Sequence, residues 1–193
     1  MRTEDDPRLS LLPLRQTSLL GSAIGRTLID IERLLLPTLA DHLARGGDER
    51  AFFTRSHGTT GLHFTGGLLH AIYEWPSELS ILVDGLPLQM REFDERHLLS
   101  QSPSAPEWLR ACLGQEVRDV VAYVYDDGVP SDEARQVGLT YRLASGFDLY
   151  CGTYLHGNMD TIELRPPNEI SLEDVVEEVS MAALPPKGDD GRR

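Results

Sequence analysis

The sequence predicts a β-rich α+β fold: two similar, mostly antiparallel β-meander units with a few short helices. Three observations carry that prediction. Two glycine-bounded stretches, "GLHFTGG" at Gly61–Gly67 and "GLTYRLASG" at Gly138–Gly146, are each followed by an apolar, strand-like run, "LLHAIYEW" and "FDLYCGTY". The flanking segments keep the same order: "LLGSAIGRTLIDIERLL" (19–35) and "CLGQEVRDVVAYVYDDG" (112–128) come before, and "SILVD" (80–84) and "TIELR" (161–165) after. Side-chain parity agrees as well. Leu62 and Phe64 share a strand face, as do Leu139, Tyr141 and Leu143, while His63, Thr140 and Arg142 point the other way.

An internal duplication is the expected origin of this pattern. Aligned on the Leu-Gly pair, Leu20-Gly21 meets Leu113-Gly114, Ile24 meets Val117, and Leu28-Ile29 meets Val121-Ala122. Further on, Gly61 meets Gly138 and Gly67 meets Gly146. Most of the length difference falls in the first unit, where "LPTLADHLARGGDERAFFTRS" lies. The expected organisation is a tail over 1–10, one globular domain over 11–181, and a second tail over 182–193. Neither tail offers an apolar face to bury. Within the domain the halves span about 19–85 and 112–166, joined by a linker and a short helix.

Each element has a local reason. Residues 27–35 have both helical spacing (Leu28, Ile31, Leu35) and the place of the first strand in the repeat; we read a strand. "PTLADHLARGG" predicts a helix with proline at its first position, Leu39 and Leu43 at i, i+4, and glycine to end it. "LASG" and "TGG" are hairpin-like turns, and "YLHGNMD" (154–160) reads as another. "SAPEWLRACLG" offers Ser104 and Glu107 at capping-box spacing, with Trp108, Leu109 and Cys112 inward. Val121, Tyr123 and Tyr125 form one face of a strand, and Val120, Ala122 and Val124 the other, so this strand is central and covered on both sides. "SLEDVVEEVSM" (171–181) predicts a helix capped by Ser171.

Composition narrows the function. The 193 residues carry a net charge of −13, which opposes binding to a nucleic-acid backbone or an anionic membrane. No apolar run approaches the ~20 residues of a membrane span. The acidic N-terminus is unlike a secretory signal, so a cytoplasmic protein is expected. Cys112 and Cys151 read as two reduced thiols. Lys187 is the sole lysine, an arginine bias that points to a GC-rich, bacterial coding sequence.

No motif names a chemistry, and neither a cofactor nor a metal is expected. His57, His63 and His70 lack the tight ligand pairs of a zinc site. Cys151 lies five residues before His156, but its parity places it on an apolar face, as an inert thiol. "SHGTTG" is not a nucleophile elbow, and the glycines of 58–67 do not follow a phosphate-loop pattern. Acidic clusters stand out at 91–96, 123–134 and 172–178. Carboxylates at Asp126, Asp127, Asp132 and Glu133 beside Tyr123 and Tyr125 have the composition of a surface that steers and anchors a basic protein.

On those acidic loops and the two strand-rich units, the chain resembles in format the immunity proteins of bacterial polymorphic toxin systems. The resemblance implies a small cytoplasmic protein that does no chemistry and occludes the active surface of a basic toxin. It implies no site residue of its own. Two other classes stay open: a ligand pocket or enzyme between the halves using His63, His70, Cys151 and His156, and a homo-oligomeric structural module.

Overall fold

A computed structural model describes residues 6–35, 39–56, 59–88, 95–125, 130, 134–153, 162–166, 169 and 175–184. Their strands form two antiparallel sheets. The first contains β1 (Leu28–Leu35), β3 (Thr60–Phe64), β4 (Leu68–Trp75), β5 (Ser80–Asp84) and β6 (Glu95–Leu98), in the order β5-β4-β3-β1-β6. The second contains β7 (Val117–Tyr125), β8 (Gln136–Leu143), β9 (Asp148–Thr153), β10 (Ile162–Arg165) and β11 (Val175–Ser180), in the order β11-β7-β8-β9-β10. The two-residue β2 (Arg55–Ser56) extends this second sheet beyond β10.

The two orders correspond strand for strand. In each, a lead strand is followed by a three-stranded meander, and a fifth strand returns to the free side of the lead strand. The residues equivalent by register differ from those the sequence alignment pairs. Leu28 pairs with Phe64 and Val117 with Leu143, so Gly25, not Gly21, corresponds to Gly114. That shift equates Leu20 with Leu109 and Ala23 with Cys112, all four buried in the common core. It also equates the short helices α1 (Thr17–Gly21) and α4 (Glu107–Arg110). Gly25 and Gly114 follow them with φ of 79° and 78°, a left-handed conformation that turns the chain into the lead strand.

Both lead strands are bulged at the same place. Leu28 and Asp30 face consecutive residues of β3, and Val117 and Asp119 consecutive residues of β8, leaving Ile29 and Arg118 as the extra residues. Both extra side chains are exposed. Beyond each bulge the aspartate holds the end of the fifth strand. Asp30 accepts bonds from the Ser100 amide (3.1 Å) and hydroxyl (2.6 Å). Asp119 accepts from the Ala182 amide (2.9 Å) and the Ser180 hydroxyl (2.7 Å). Leu99 and Met181 thereby enter the core side by side with their strands.

The inner faces form one core. Ile31, Leu62, Phe64, Ile72, Ile81 and Val83 of the first sheet pack with Val120, Ala122, Leu139, Tyr141, Leu149, Cys151, Ile162 and Leu164 of the second. Each fully buried aliphatic side chain contributes about 1.5–3 kcal/mol relative to exposure, so this layer dominates stability. β7 is flanked by β8 and β11 and buried on both faces, the central strand its double apolar pattern predicts.

Four local expectations are corrected. Residues 175–180 are strand β11, not helix: Val179 and Glu177 pair with β7, and ladder formation on an already bulged, apolar strand outweighs the helical spacing. Ser104 does not cap α4. Pro106 holds the N-cap position, and the Ser104 hydroxyl is buried without a hydrogen-bond partner. The helix α2 (Leu39–Ala44) forms, but it buries no residue and Leu43 is exposed. At the N-terminus, Pro7–Leu11 form a 3-10 turn whose Leu9, together with Leu12, packs on Trp75 and Leu82, so this part of the expected tail belongs to the domain. The turn expected over 154–160 lies outside the described residues.

Replacing Asp119 with alanine leaves the part-buried Ser180 hydroxyl and Ala182 amide without their acceptor and frees the end of β11. The expected loss is about 2–3 kcal/mol, read as a fall of roughly 5–10 °C in melting temperature. A change below 1 °C in differential scanning calorimetry would show that the aspartate does not hold the strand.

Candidate functional site

The residues singled out by sequence fall in three separate places. Tyr123 is only 4% exposed, on the outer face of β7, with its ring 5.9 Å from that of Tyr150. The pair shares a small apolar cluster with Val121 and Val137. Tyr123 therefore does not offer the contact area expected of an anchor. Tyr125, at the end of β7, is half-buried, and the Arg135 guanidinium lies 4.3 Å above its ring. Asp126, Asp127, Asp132 and Glu133 lie outside the described residues, as do His57 and His156.

His63, His70 and Cys151 do not converge. His63 is on the outer face of the first sheet, where its Nε2 lies 2.8 Å from Glu32, which Arg96 also approaches at 2.9 Å. His70 is fully buried on the inner face. Its Nε2–H donates to the Leu19 carbonyl (3.1 Å), since a carbonyl can only accept. The Nδ1 is then the acceptor, and it receives the Tyr141 hydroxyl proton (2.9 Å). His70 and Tyr141 come from opposite sheets, so this bond is a polar tie across the core, with the Phe64 ring packed edge-on to His70 at a centroid distance of 5.0 Å.

Cys151 is buried on the second sheet's inner face, and burial raises its thiol pKa to about 12, against the opposing pull of the Arg33 charge. Burial raises Cys112 to about 12 likewise. Both thiols are protonated at neutral pH and are poor nucleophiles. Arg33 is itself fully buried between the sheets, donating to Thr60 Oγ1 (2.7 Å) and the Ile162 carbonyl (2.8 Å). Burial lowers it to about 10, so it stays charged at neutral pH. Among the described residues no group of three or more His, Cys, Asp or Glu side chains is placed to hold a metal ion. No described helix is long and apolar enough to cross a membrane.

Sequence reasoning did not single out the hollows beside α4. One of about 660 Å³ is lined by Arg50, Arg110 and the run from Pro103 to Trp108. An adjoining one of about 300 Å³ shares Arg50, Pro106 and Trp108 and adds Asp48, Arg165 and Glu169. Arg50 belongs to α3 (Glu49–Thr54), which is fixed by Phe53 in the main core and by Phe52 against His97, with ring centroids 5.2 Å apart. The signal was present as the first unit's extra length between its lead strand and meander. Its chemistry was hidden because the arginines that meet there are far apart in sequence.

Comparison with protein-family models, with curated proteins and with solved structures gave no match.

The buried His70 fixes a pH dependence. Burial lowers its pKa from 6.5 to about 4. Between those values the unfolded chain binds a proton that the folded chain excludes, so stability falls as pH drops from 6.5 toward 4. From pH 7.5 to 5 the loss is about 2 kcal/mol. Urea titrations of the protein and of His70→Gln will separate this from other groups. The variant is expected to lack that slope, and equal slopes would rule out a neutral, buried His70.

Proposed function

We propose that the chain binds a basic protein partner through the acidic end of the second sheet, and that it acts as an immunity-type neutraliser by covering the partner's active surface. The supporting observation is a register. Val175 of β11 pairs with Tyr125 of β7, so the segment leaving β7 and the segment arriving at β11 share one end of the sheet. The first carries Asp126, Asp127, Asp132 and Glu133, and the second carries Glu173 and Asp174. Glu177 and Glu178 continue the series as exposed residues on the edge strand itself. Two acid-rich segments from distant parts of the chain are thus joined to paired residues at one sheet end, where Tyr125 supplies an aromatic surface. Carboxylates in such density raise the encounter rate of a cationic partner, and the half-buried ring adds apolar contact. A row of acids on an edge strand also discourages pairing with other chains, so contact is directed to side chains.

The test is capture from lysate of the native source with the protein and its Asp126→Lys/Asp127→Lys variant as baits, at low and tenfold higher salt. A stoichiometric basic protein should be captured by the unaltered bait, weakened by salt, and lost or much reduced with the variant. With that partner purified, charge reversal should slow association by about tenfold or more at low ionic strength. Capture that is indifferent to both salt and charge reversal, or no capture at all, would overturn the proposal.

A further inference from the structure

The geometry points to a second site, unrelated to the acidic end: we infer that the groove between α3 and α4 binds a small aromatic carboxylate, its ring against Trp108 and its charge toward Arg50 and Arg110. The larger hollow, about 660 Å³, has the size of a pocket for a small organic ligand. Its apolar lining comes from Pro103, Ala105, Pro106 and Trp108. Five other arginines are ion-paired: Arg8 with Asp6, Arg96 with Glu32, Arg118 with Glu116, Arg142 with Asp119, and Arg165 with Glu163. Arg50 and Arg110 line the groove, are exposed, and form no ion pair among the described residues; the Arg110 guanidinium donates only a long bond (3.4 Å) to the Ser102 carbonyl.

Two arginines without an ion-pair partner thus share one hollow on a protein of net charge −13, with Glu107 the one carboxylate among its lining residues. The Ser104 hydroxyl at the groove wall, buried and without a partner, adds a hydrogen-bonding group not used by the fold.

The acids around the groove define the ligand's charge. Glu107 lines the larger hollow, and Asp48 and Glu169 the smaller. They would repel a second or third negative charge, which excludes polyphosphates and favours a single carboxylate on a flat apolar body. Bidentate guanidinium–carboxylate pairing and ring stacking on an indole suit that class. The groove also sits where the two units differ. α2, α3 and β2 have no counterpart among the described residues of the second unit; α3 and β2 pack on β10, and α2 packs on α3.

The probe is 2-naphthoate, titrated into the ¹⁵N-labelled full chain. The two tryptophans, Trp75 and Trp108, give two indole signals, assigned with Trp108→Phe. The Trp108 signal should shift and saturate while that of Trp75 stays in place. The neutral 2-naphthamide should bind about tenfold more weakly, and Arg50→Gln/Arg110→Gln should lose about tenfold in affinity for naphthoate. Inorganic phosphate should neither shift the signal nor compete. Arg118→Gln, an exposed substitution away from the groove, should bind as the unaltered protein does. Equal binding of acid and amide, unchanged affinity in the double variant, competition by phosphate, or no Trp108 shift at millimolar naphthoate would each overturn the assignment.

Discussion

The structure depends on how the two units meet where their lead strands begin. Thr27 and Glu116, equivalent residues of the two units, pair as an antiparallel bridge. Around that bridge the hydrogen bonds come in reciprocal pairs. The Gly25 amide donates to Val117 (2.9 Å) and the Gly114 amide to Leu28 (2.8 Å), while Val117 donates to Arg26 (2.8 Å) and Leu28 to Gln115 (2.9 Å). Each segment thus satisfies the backbone groups of the other in a local two-fold arrangement, as in a symmetric dimer interface. Equivalent bonds within each unit flank the bridge, with the Thr65 amide donating to Thr27 and the Ala144 amide to Glu116. With both lead strands fixed at their origin, the direction of each sheet is set. The two apolar faces can then close on each other only one way.

That reciprocity explains why polar groups are admitted to the core without separating the sheets. His70 reaches Tyr141 across the interface, and Arg33 reaches the Ile162 carbonyl. In a sandwich free to slide, either group would lose its partner, and an unsatisfied buried donor costs about 1–3 kcal/mol. Such bonds discriminate against shifted packings more than they add to net stability, because water would serve the same atoms in the unfolded chain. The symmetric backbone contact supplies position, and the asymmetric side-chain ties select one alignment.

Much of this was legible in the sequence, and the misses are instructive. Strand parity placed Leu62, Phe64, Leu139, Tyr141 and Cys151 on inner faces, because period-two alternation survives whatever the tertiary context. The double apolar face of 117–125 marked the central strand for the same reason. The alignment of the units slipped by four residues because one Leu-Gly pair looks like another. The better marker was L-x-D against V-x-D, Leu28-Ile29-Asp30 against Val117-Arg118-Asp119, whose meaning lies in a bulge that only pairing reveals. β11 was misread since valines at 175, 176 and 179 fit either period, and the partner strand that decides between them is fifty residues away. The groove was missed because proximity of Arg50 to Arg110 is a property of the packed insertion, not of either local sequence.

Net charge acts differently on the two proposed surfaces. At the acidic end the carboxylates and a cationic partner attract over distances comparable with the Debye length, about 8 Å at physiological salt, so the interaction is mostly one of approach. For an anion moving toward the groove the same field is repulsive, and screening removes most of it before contact. What is left there is short-ranged: two guanidinium groups, an indole and apolar side chains lining one hollow. Selectivity at the groove must therefore come from contact geometry, whereas at the acidic end it comes from the density of like charge. A chain this acidic can carry both surfaces because the insertion between β1 and β3 carries its arginine to the far edge of the second sheet, beside β10, while the acids issue from the end of β7 and β11. The strand order that brings the two units together is thus also what keeps the two surfaces apart.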